Sequence, residues 1–381
     1  MSKTKVLLVG AGGETGGSIA NGLLENPIFE VHALVRLRSV QKPSIVALQE
    51  RGVKIIRCDL KAPEETLAEA LTGIDVVISC VGPAEQQDQI PLAKAAKRAG
   101  VQRFVPCAFI TVAPPGGIMW LRDEKETVYN HIKQLRLPYT IIDVGWWYQL
   151  SYPRLDSGRA DYAMTSANNE IVGDGNTPIA LTDLRDIGRY VARIIVDDRT
   201  LNKMVFAYNT VTTQNQIYDL LEEISEEKIP RNYVRGISHL SLASHWLTIA
   251  FPHMQIPEET VYTRVLAARQ SSETYPFDPV KFIPRYLAEY QLSWGIRGDN
   301  TPEYAQYLGY ITAKDLYPDF QPIQFREYLE TVVRGTAKGV YTDRMVSKAY
   351  QRSFPRSESS DSLYTRIFPR TESSDSLYMS R

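Results

Sequence analysis

Residues 5–9, Lys-Val-Leu-Leu-Val, run directly into Gly10-Ala11-Gly12-Gly13-Glu14-Thr15-Gly16. An apolar strand followed at once by a glycine-rich turn and a helical stretch, residues 17–24, restricts the fold more than any other feature of the chain. In a parallel sheet the first strand delivers a ligand to the N-terminus of the following helix. That end carries free N–H groups and partial positive charge, which suit a pyrophosphate. Gly10, Gly13 and Gly16 fit a G-x-x-G-x-x-G spacing. Gly10 makes the tight turn, Gly13 lets phosphates approach, and Gly16 lets helix and strand pack closely. Thr15 can hydrogen-bond a phosphate. Residues 10–16, with Ala11, Gly12 and Glu14 among them, are therefore the candidate dinucleotide loop.

The pattern that follows supports this reading. Apolar strands at residues 30–36, 53–60, 75–82, 102–109 and 139–145 alternate with helical patterns at 64–71, 91–99 and 123–135. The strands are near-continuous apolar runs, as expected when helices cover both faces of a sheet. Such alternation predicts an α/β fold, a Rossmann-type doubly wound parallel sheet. After Gly145 the character changes: Trp146-Trp147-Tyr148 opens a mixed, aromatic region. We expect residues 1–146 to form the dinucleotide-binding domain, with 183–208 packing back onto it through an amphipathic helix. Residues 147–182 and 209–340 form a smaller, discontinuous α/β substrate domain at the sheet's C-terminal edge. The remainder, 341–381, is polar and Ser-rich, and is expected to be disordered. In it, Phe-Pro-Arg-Ser-Glu-Ser-Ser-Asp-Ser-Leu-Tyr at 354–364 recurs at 368–378 with Thr371 in place of Ser357.

The end of the second strand bears on the choice of dinucleotide. NAD binders place an acid there for the ribose 2′-hydroxyl. This strand ends Leu34-Val35-Arg36, with Arg38 and Lys42 close behind, and the nearby acid, Glu30, lies at the wrong end. Cations at Arg36, Arg38 and Lys42 can hold a 2′-phosphate, so the expected cofactor is NADPH. Gly82, ending the fourth strand, is assigned to the same cofactor face.

Two lysines compete for the chemistry. Tyr129-Asn-His-Ile-Lys133 matches the Y-x-x-x-K spacing of short-chain dehydrogenases, and Lys125 lies two turns before Lys133. Helix phase separates them. Val128, Ile132 and Leu135 define the buried face. Lys125 falls about 50° from its centre and Lys133 about 130°. Lys125 is thus aimed inward, where it can act as a general acid or base, polarise a substrate oxygen, or simply bind the nicotinamide ribose.

Composition excludes several classes. The chain has 381 residues, a net charge of -1 and no basic cluster, so nucleic acid is not an expected partner. No apolar run approaches a membrane span. Cys58, Cys80 and Cys107 have neither disulfide-framework nor zinc spacing, and the histidines make no metal-ligand pair. Without a charged and apolar leader at the N-terminus, a cytoplasmic location is expected.

Five segments together resemble a known family. VLLVGAGGETG, VQRFVPCAF, DEKETVYNHIKQLRLPYTIID, GDGNTPIALTDLRDIGRYVARIIVDDRTLNK and AKDLYPDFQPIQFREYL lie between residues 6 and 329. They are similar to the NmrA-like and isoflavone-reductase-like branch of atypical short-chain dehydrogenases, most of all to fungal members of secondary metabolism. The spacing from Lys125 to Pro138-Tyr139-Thr140 resembles that following the family's catalytic lysine. The resemblance implies NADPH-dependent hydride transfer to a conjugated C=C or carbonyl of a small aromatic or polyketide-type metabolite, Lys125 assisting proton transfer. It implies a cofactor contact from the residue one turn after the lysine, basic in plant members and Tyr129 here. The plant Ser-Glu-Phe-Gly is replaced by Cys107-Ala108-Phe109-Ile110. Phe109, Trp120, Trp146, Trp147 and Tyr148 are placed where a substrate pocket would form. Two other functions share the fold: a dinucleotide-sensing regulatory protein without turnover, and a non-redox isomerase or cyclase using Lys125 as base.

Overall fold

The computed structural model describes residues 2–165, 169–234, 261–274 and 279–341. The duplicated segment of the tail lies outside the described residues. In chain order the first half runs β1 (Thr4–Val9), α1 (Glu14–Leu24), β2 (Phe29–Val35), α2 (Pro43–Glu50), β3 (Lys54–Arg57), α3 (Glu64–Ala70), β4 (Val76–Ser79), α4 (Gln89–Arg98), β5 (Arg103–Val105), α5 (Trp120–Gln134) and β6 (Thr140–Asp143). The second half adds β7 (Trp146–Trp147), β8 (Glu170–Val172), β9 (Ile179–Thr182), α6 (Leu184–Ile194), β10 (Lys203–Phe206), β11 (Thr210–Thr212), α7 (Gln214–Ser225), β12 (Asn232–Val234), α8 (Val261–Thr274), α9 (Pro279–Tyr290) and β13 (Tyr310–Thr312).

The main sheet is parallel, in the order β3-β2-β1-β4-β5. A parallel bridge between Phe104 and Tyr139 joins β5 to β6, and β10 and β13 continue beyond. The order reverses between β1 and β4, the switch point at which such sheets bind ligands. Successive residues of β1 serve opposite faces, as strand geometry requires. Val6 and Leu8 join α1 and α6 in one core; Leu7 and Val9 join α3, α4 and α5 in the other. Residues 310–312, expected with the substrate part, instead belong to the sheet, because β10 offers its free edge to them.

Helix α6 lies against α1 at unusually short range. A Cβ on Gly22 would sit 2.3 Å from Gly188 backbone, and one on Gly188 would sit 1.9 Å from the Ser18 carbonyl. The Ser18 hydroxyl donates to the Leu184 carbonyl at 2.5 Å and accepts the Gly188 N–H. This contact fixes the helix whose N-terminus forms the glycine loop. The smaller part has its own core, built by residues of β8, β9, α7, α8, α9 and helix Phe325–Val333, with Trp146 of β7 packed against it; β11 pairs with β9 and β12 with β8 at its margin. Residues from α1 and from the stretches after β4 and β5 line one cavity together with Trp146, Tyr286 and Tyr290.

Candidate active site

The glycine loop adopts the geometry its residues demand. Gly10 has φ +81, and a Cβ there would lie 2.3 Å from the Cys80 carbonyl. A Cβ on Gly16 would come within 2.2 Å of the Gly10 carbonyl. The Gly13 N–H returns to the Gly10 carbonyl and Gly13 caps α1. Bare backbone therefore surrounds the open N-terminus of α1. This cradle fits a pyrophosphate: a side chain at Gly10 or Gly16 would push the loop away. Glu14 accepts the Tyr341 N–H at 2.8 Å, and Thr15 lines the adjoining cavity.

Arg36 directly follows β2 and pairs with Glu85 at 3.0 Å, both half-exposed. Glu85 also accepts the Gly82 N–H at 3.3 Å. Arg38 and Lys42 are exposed on the segment that follows. Glu30 stays at the far end of β2, where Lys54 and His32 hold its carboxyl down at about 2.

A cavity of about 260 Å³ opens next to Thr15. Lys125 forms part of its wall and is itself buried. Its ammonium donates to the Cys107 carbonyl at 2.6 Å and the Gln86 amide oxygen at 3.2 Å, with the Cys107 sulfur 3.7 Å away. Gln86 is in turn held by the Gly82 carbonyl and by Gln89, whose own amide oxygen accepts the Cys107 N–H. Among the described residues no carboxylate makes an ion pair with Lys125. A buried cation whose hydrogen-bond partners are two neutral oxygens and a thiol has unused capacity to stabilise an anion. Lys133 is exposed, as the helix phase requires.

Phe109, Trp146 and Trp147 line the cavity, joined by Tyr290 and Tyr341. Trp147 stacks on Tyr341 with ring centres 6.1 Å apart, and Trp146 meets Tyr290 edge-on at 5.0 Å. Phe109 has φ +52, a left-handed conformation uncommon for a large side chain. Its N–H donates to the Ile142 carbonyl, which ties the strained loop to β6. Burial pushes the Cys80 thiol well up, so that cavity residue is no ready nucleophile.

Three candidates lie elsewhere. Tyr129 is buried in the core beside Val128 and Ile132, under the Arg122 guanidinium, because its position on α5 faces the sheet rather than the cavity. Tyr148 packs on Phe325 and Tyr328, its hydroxyl donating to the Ile323 carbonyl. Trp120 rests against Tyr286 and Arg285, outside the cavity wall.

Beneath the cavity is a buried ionic cluster that sequence reasoning missed. Arg122, one turn before Lys125, reaches Asp143 at 3.1 Å, the Tyr310 hydroxyl at 2.9 Å and Glu126 at 2.5 Å. The Tyr310 hydroxyl donates to the same Asp143 oxygen at 2.5 Å. Burial pushes the Asp143 carboxyl up, while Arg122 and Tyr310 oppose that shift. The signal was available: an aspartate closing the apolar strand at 139–145 cannot be buried without a partner. Among the described residues no cluster of His, Cys, Asp and Glu could hold a metal, and no helix is long and apolar enough to cross a membrane.

Known proteins resemble this chain in sequence and fold. The sequence model of the NmrA-like family matches residues 2–266. Asnovolin J 5′,6′-dehydrogenase of Aspergillus novofumigatus is 44% identical, over 87% of this chain and 95% of its own. An isoflavone reductase-like protein of Olea europaea is 27% identical over 87% of this chain and 99% of its own. The solved leucoanthocyanidin reductase–NADPH complex of Vitis vinifera superposes with a TM-score of 0.68 at 22% identity, covering 87% of this chain and 99% of that one. A solved isoflavone reductase gives 0.65 at 24% identity, with the same coverage. The chain belongs to the NmrA-like family, and its fold is that of these Rossmann-type reductases.

Proposed function

We propose that this member of the NmrA-like family is an NADPH-dependent oxidoreductase acting on a conjugated C=C or carbonyl of a small aromatic or polyketide-like metabolite, with Lys125 as its proton donor. The observation that carries the proposal is the buried Lys125 ammonium, set in the wall of the cavity that Thr15 also lines, with the Cys107 carbonyl, the Gln86 amide oxygen and the Cys107 sulfur as its partners and, among the described residues, no carboxylate in an ion pair with it. When bound, NADPH supplies a hydride at its nicotinamide ring. The bare backbone of residues 10–16 and Gly82 admits the pyrophosphate, and Arg36, Arg38 and Lys42 supply cations for the 2′-phosphate. Lys125 Nζ gives a proton to the substrate oxygen that becomes negative during reduction. Phe109, Trp146 and Trp147 orient an apolar ring system and exclude water. Tyr129, Trp120 and Tyr148 have structural places and are not assigned to the site.

The dehydrogenase of Aspergillus novofumigatus is named for the opposite direction. A hydride-transfer site serves both directions, with Lys125 then accepting the proton. A sensor without turnover has no use for a buried ammonium in a substrate-sized cavity, which favours the enzymatic reading. A cytoplasmic location belongs to the proposal and agrees with three free thiols at Cys58, Cys80 and Cys107.

The test is loss of nicotinamide absorbance with a fused bicyclic enone, comparing the wild type with Lys125→Met. The variant is expected to lose roughly 10²–10⁴-fold in turnover while binding NADPH normally. Turnover that survives the substitution removes Lys125 from the chemistry.

A further inference from the structure

Gln86, on the stretch between β4 and α4, and Gln89, the first residue of α4, are both buried. Polar side chains sealed from water need partners, and these two amides supply each other's. The Gln89 amide oxygen accepts the Cys107 N–H at 2.7 Å, and its amide nitrogen donates to the Gln86 carbonyl and amide oxygens at 3.1 and 3.2 Å. The Gln86 amide nitrogen donates to the Gly82 carbonyl at 2.9 Å. Its oxygen is thereby turned to Lys125, whose ammonium donates to it at 3.2 Å. Flipped, the amide would set N–H groups against the ammonium and its oxygen against the Gly82 carbonyl. One orientation is locked.

The choice of an amide has an electrostatic consequence. Of the two oxygens at Lys125, one is the Cys107 backbone carbonyl, at 2.6 Å. Among the described residues Gln86 brings the one side-chain oxygen to the ammonium. Glutamate has nearly the same shape and would make the charged version of this contact. At that range in a buried site the attraction is strong, and it would neutralise the lysine from within the protein. The other groups that act on Lys125 leave its charge standing. Asp143 is committed to Arg122 and Tyr310, and Cys80 and Cys107 are free thiols.

We propose that Gln86 is a positioning residue for Lys125: its amide oxygen anchors the ammonium at the cavity wall without neutralising it, so that the full charge is left for an oxygen of the ligand that turns negative. The inference rests on Lys125 as the group that meets the substrate oxygen, and names the side chain that keeps it fit for that role. Gln89 acts one step further back, fixing both Gln86 and the Cys107 backbone that supplies the second oxygen. Glutamate at position 86 is the substitution the site excludes, although it preserves both volume and a hydrogen bond to the lysine.

The experiment compares an anion with a neutral molecule of the same outline. Quenching of tryptophan fluorescence follows binding of 4-nitrophenolate and of 4-nitrotoluene to the full-length chain, since Trp146 and Trp147 line the cavity. The wild type should prefer the anion by about tenfold or more. Lys125→Met should bring that ratio to about one. Gln86→Leu and Gln86→Glu both lose the bond to the Gly82 carbonyl, so its structural cost is common to the two, and only glutamate adds a charge. Gln86→Leu should lower the ratio about threefold, the worth of one neutral hydrogen bond, and Gln86→Met should match it. Gln86→Glu should lie about tenfold or more below the leucine variant. Equal ratios in the leucine and glutamate variants overturn the proposal, as does a wild-type ratio in the leucine and methionine variants. Either result beside a collapsed ratio in Lys125→Met leaves the reductase reading standing. No anion preference in the wild type, no binding of either probe, or a ratio unmoved by Lys125→Met sinks the Lys125 reading and the proposal with it.

Discussion

Replacing Arg122 by methionine should cost about 3–5 kcal/mol of stability. The figure follows from what the substitution strands. Asp143 is fully buried, and one of its oxygens has no partner at all. At 3.1 Å and an effective dielectric of ~20, the attraction to Arg122 is on the order of 5 kcal/mol. Removing the guanidinium leaves the Tyr310 hydroxyl, the Lys125 charge and the Ile110 N–H to oppose the desolvation of that carboxylate, without its nearest cation. Asp143→Asn should cost less, because Glu126 still faces the arginine. Removing both charges together, Arg122→Met with Asp143→Leu, should recover much of the loss, since no fully buried ion is left unpaired and Glu126, the other partner of Arg122, is in part exposed to solvent. Urea unfolding followed by tryptophan fluorescence reads all three variants. A cost below about 1 kcal/mol for Arg122→Met, or a double variant as unstable as the sum of the singles, would refute the claim that the pair is buried and mutually dependent.

Three further outcomes follow from the site and its surroundings. Gly16→Ala should weaken NADPH binding at least tenfold by calorimetry, because its Cβ would lie 2.2 Å from the Gly10 carbonyl; wild-type affinity would show that the loop is not the cradle. Arg36→Asp should weaken NADPH more than NADH, and an equal loss would remove the 2′-phosphate contact; in this structure Arg36 rests on Glu85, so Glu85→Gln should strengthen NADPH binding. Asp197, hydrogen-bonded to Arg199, has its carboxyl lowered from 3.8 to about 2. Its folded value lies below its unfolded one, so its contribution is present above about pH 4 and is lost as pH falls through 2. Asp197→Asn should flatten the acid limb of a stability profile between those values, and an unchanged limb would contradict the assignment.

Much of this molecule could be read from its sequence because the deciding signals are local. A strand, a glycine turn and a helix within twenty-odd residues specify the cradle, and helix phase alone chose Lys125 over Lys133. What escaped depends on residues far apart in the chain. Tyr341 returns to Glu14 across 327 positions, and Tyr310 closes on Asp143 across 167. Neither contact has a spacing that could announce it. Strands β10 and β13 are short, and they join the sheet through the edge of β6. The aromatic residues show the same limit. Trp146 and Trp147 face the cavity while Tyr148 enters a core, a difference set by where Phe325 and Tyr328 arrive. The left-handed Phe109 lies on a loop whose conformation is imposed by β6, which no local pattern reveals.

The central claim is hydride transfer beside Lys125, and isotope transfer tests it most directly. NADPH deuterated at the transferable position of the nicotinamide ring is incubated with the enzyme and a fused bicyclic enone, and the product is weighed by mass spectrometry. The account predicts one deuterium on product carbon with the wild type, and loss of that product with Lys125→Met. Product lacking deuterium, or deuterated product formed undiminished by the Lys125→Met variant, would contradict it.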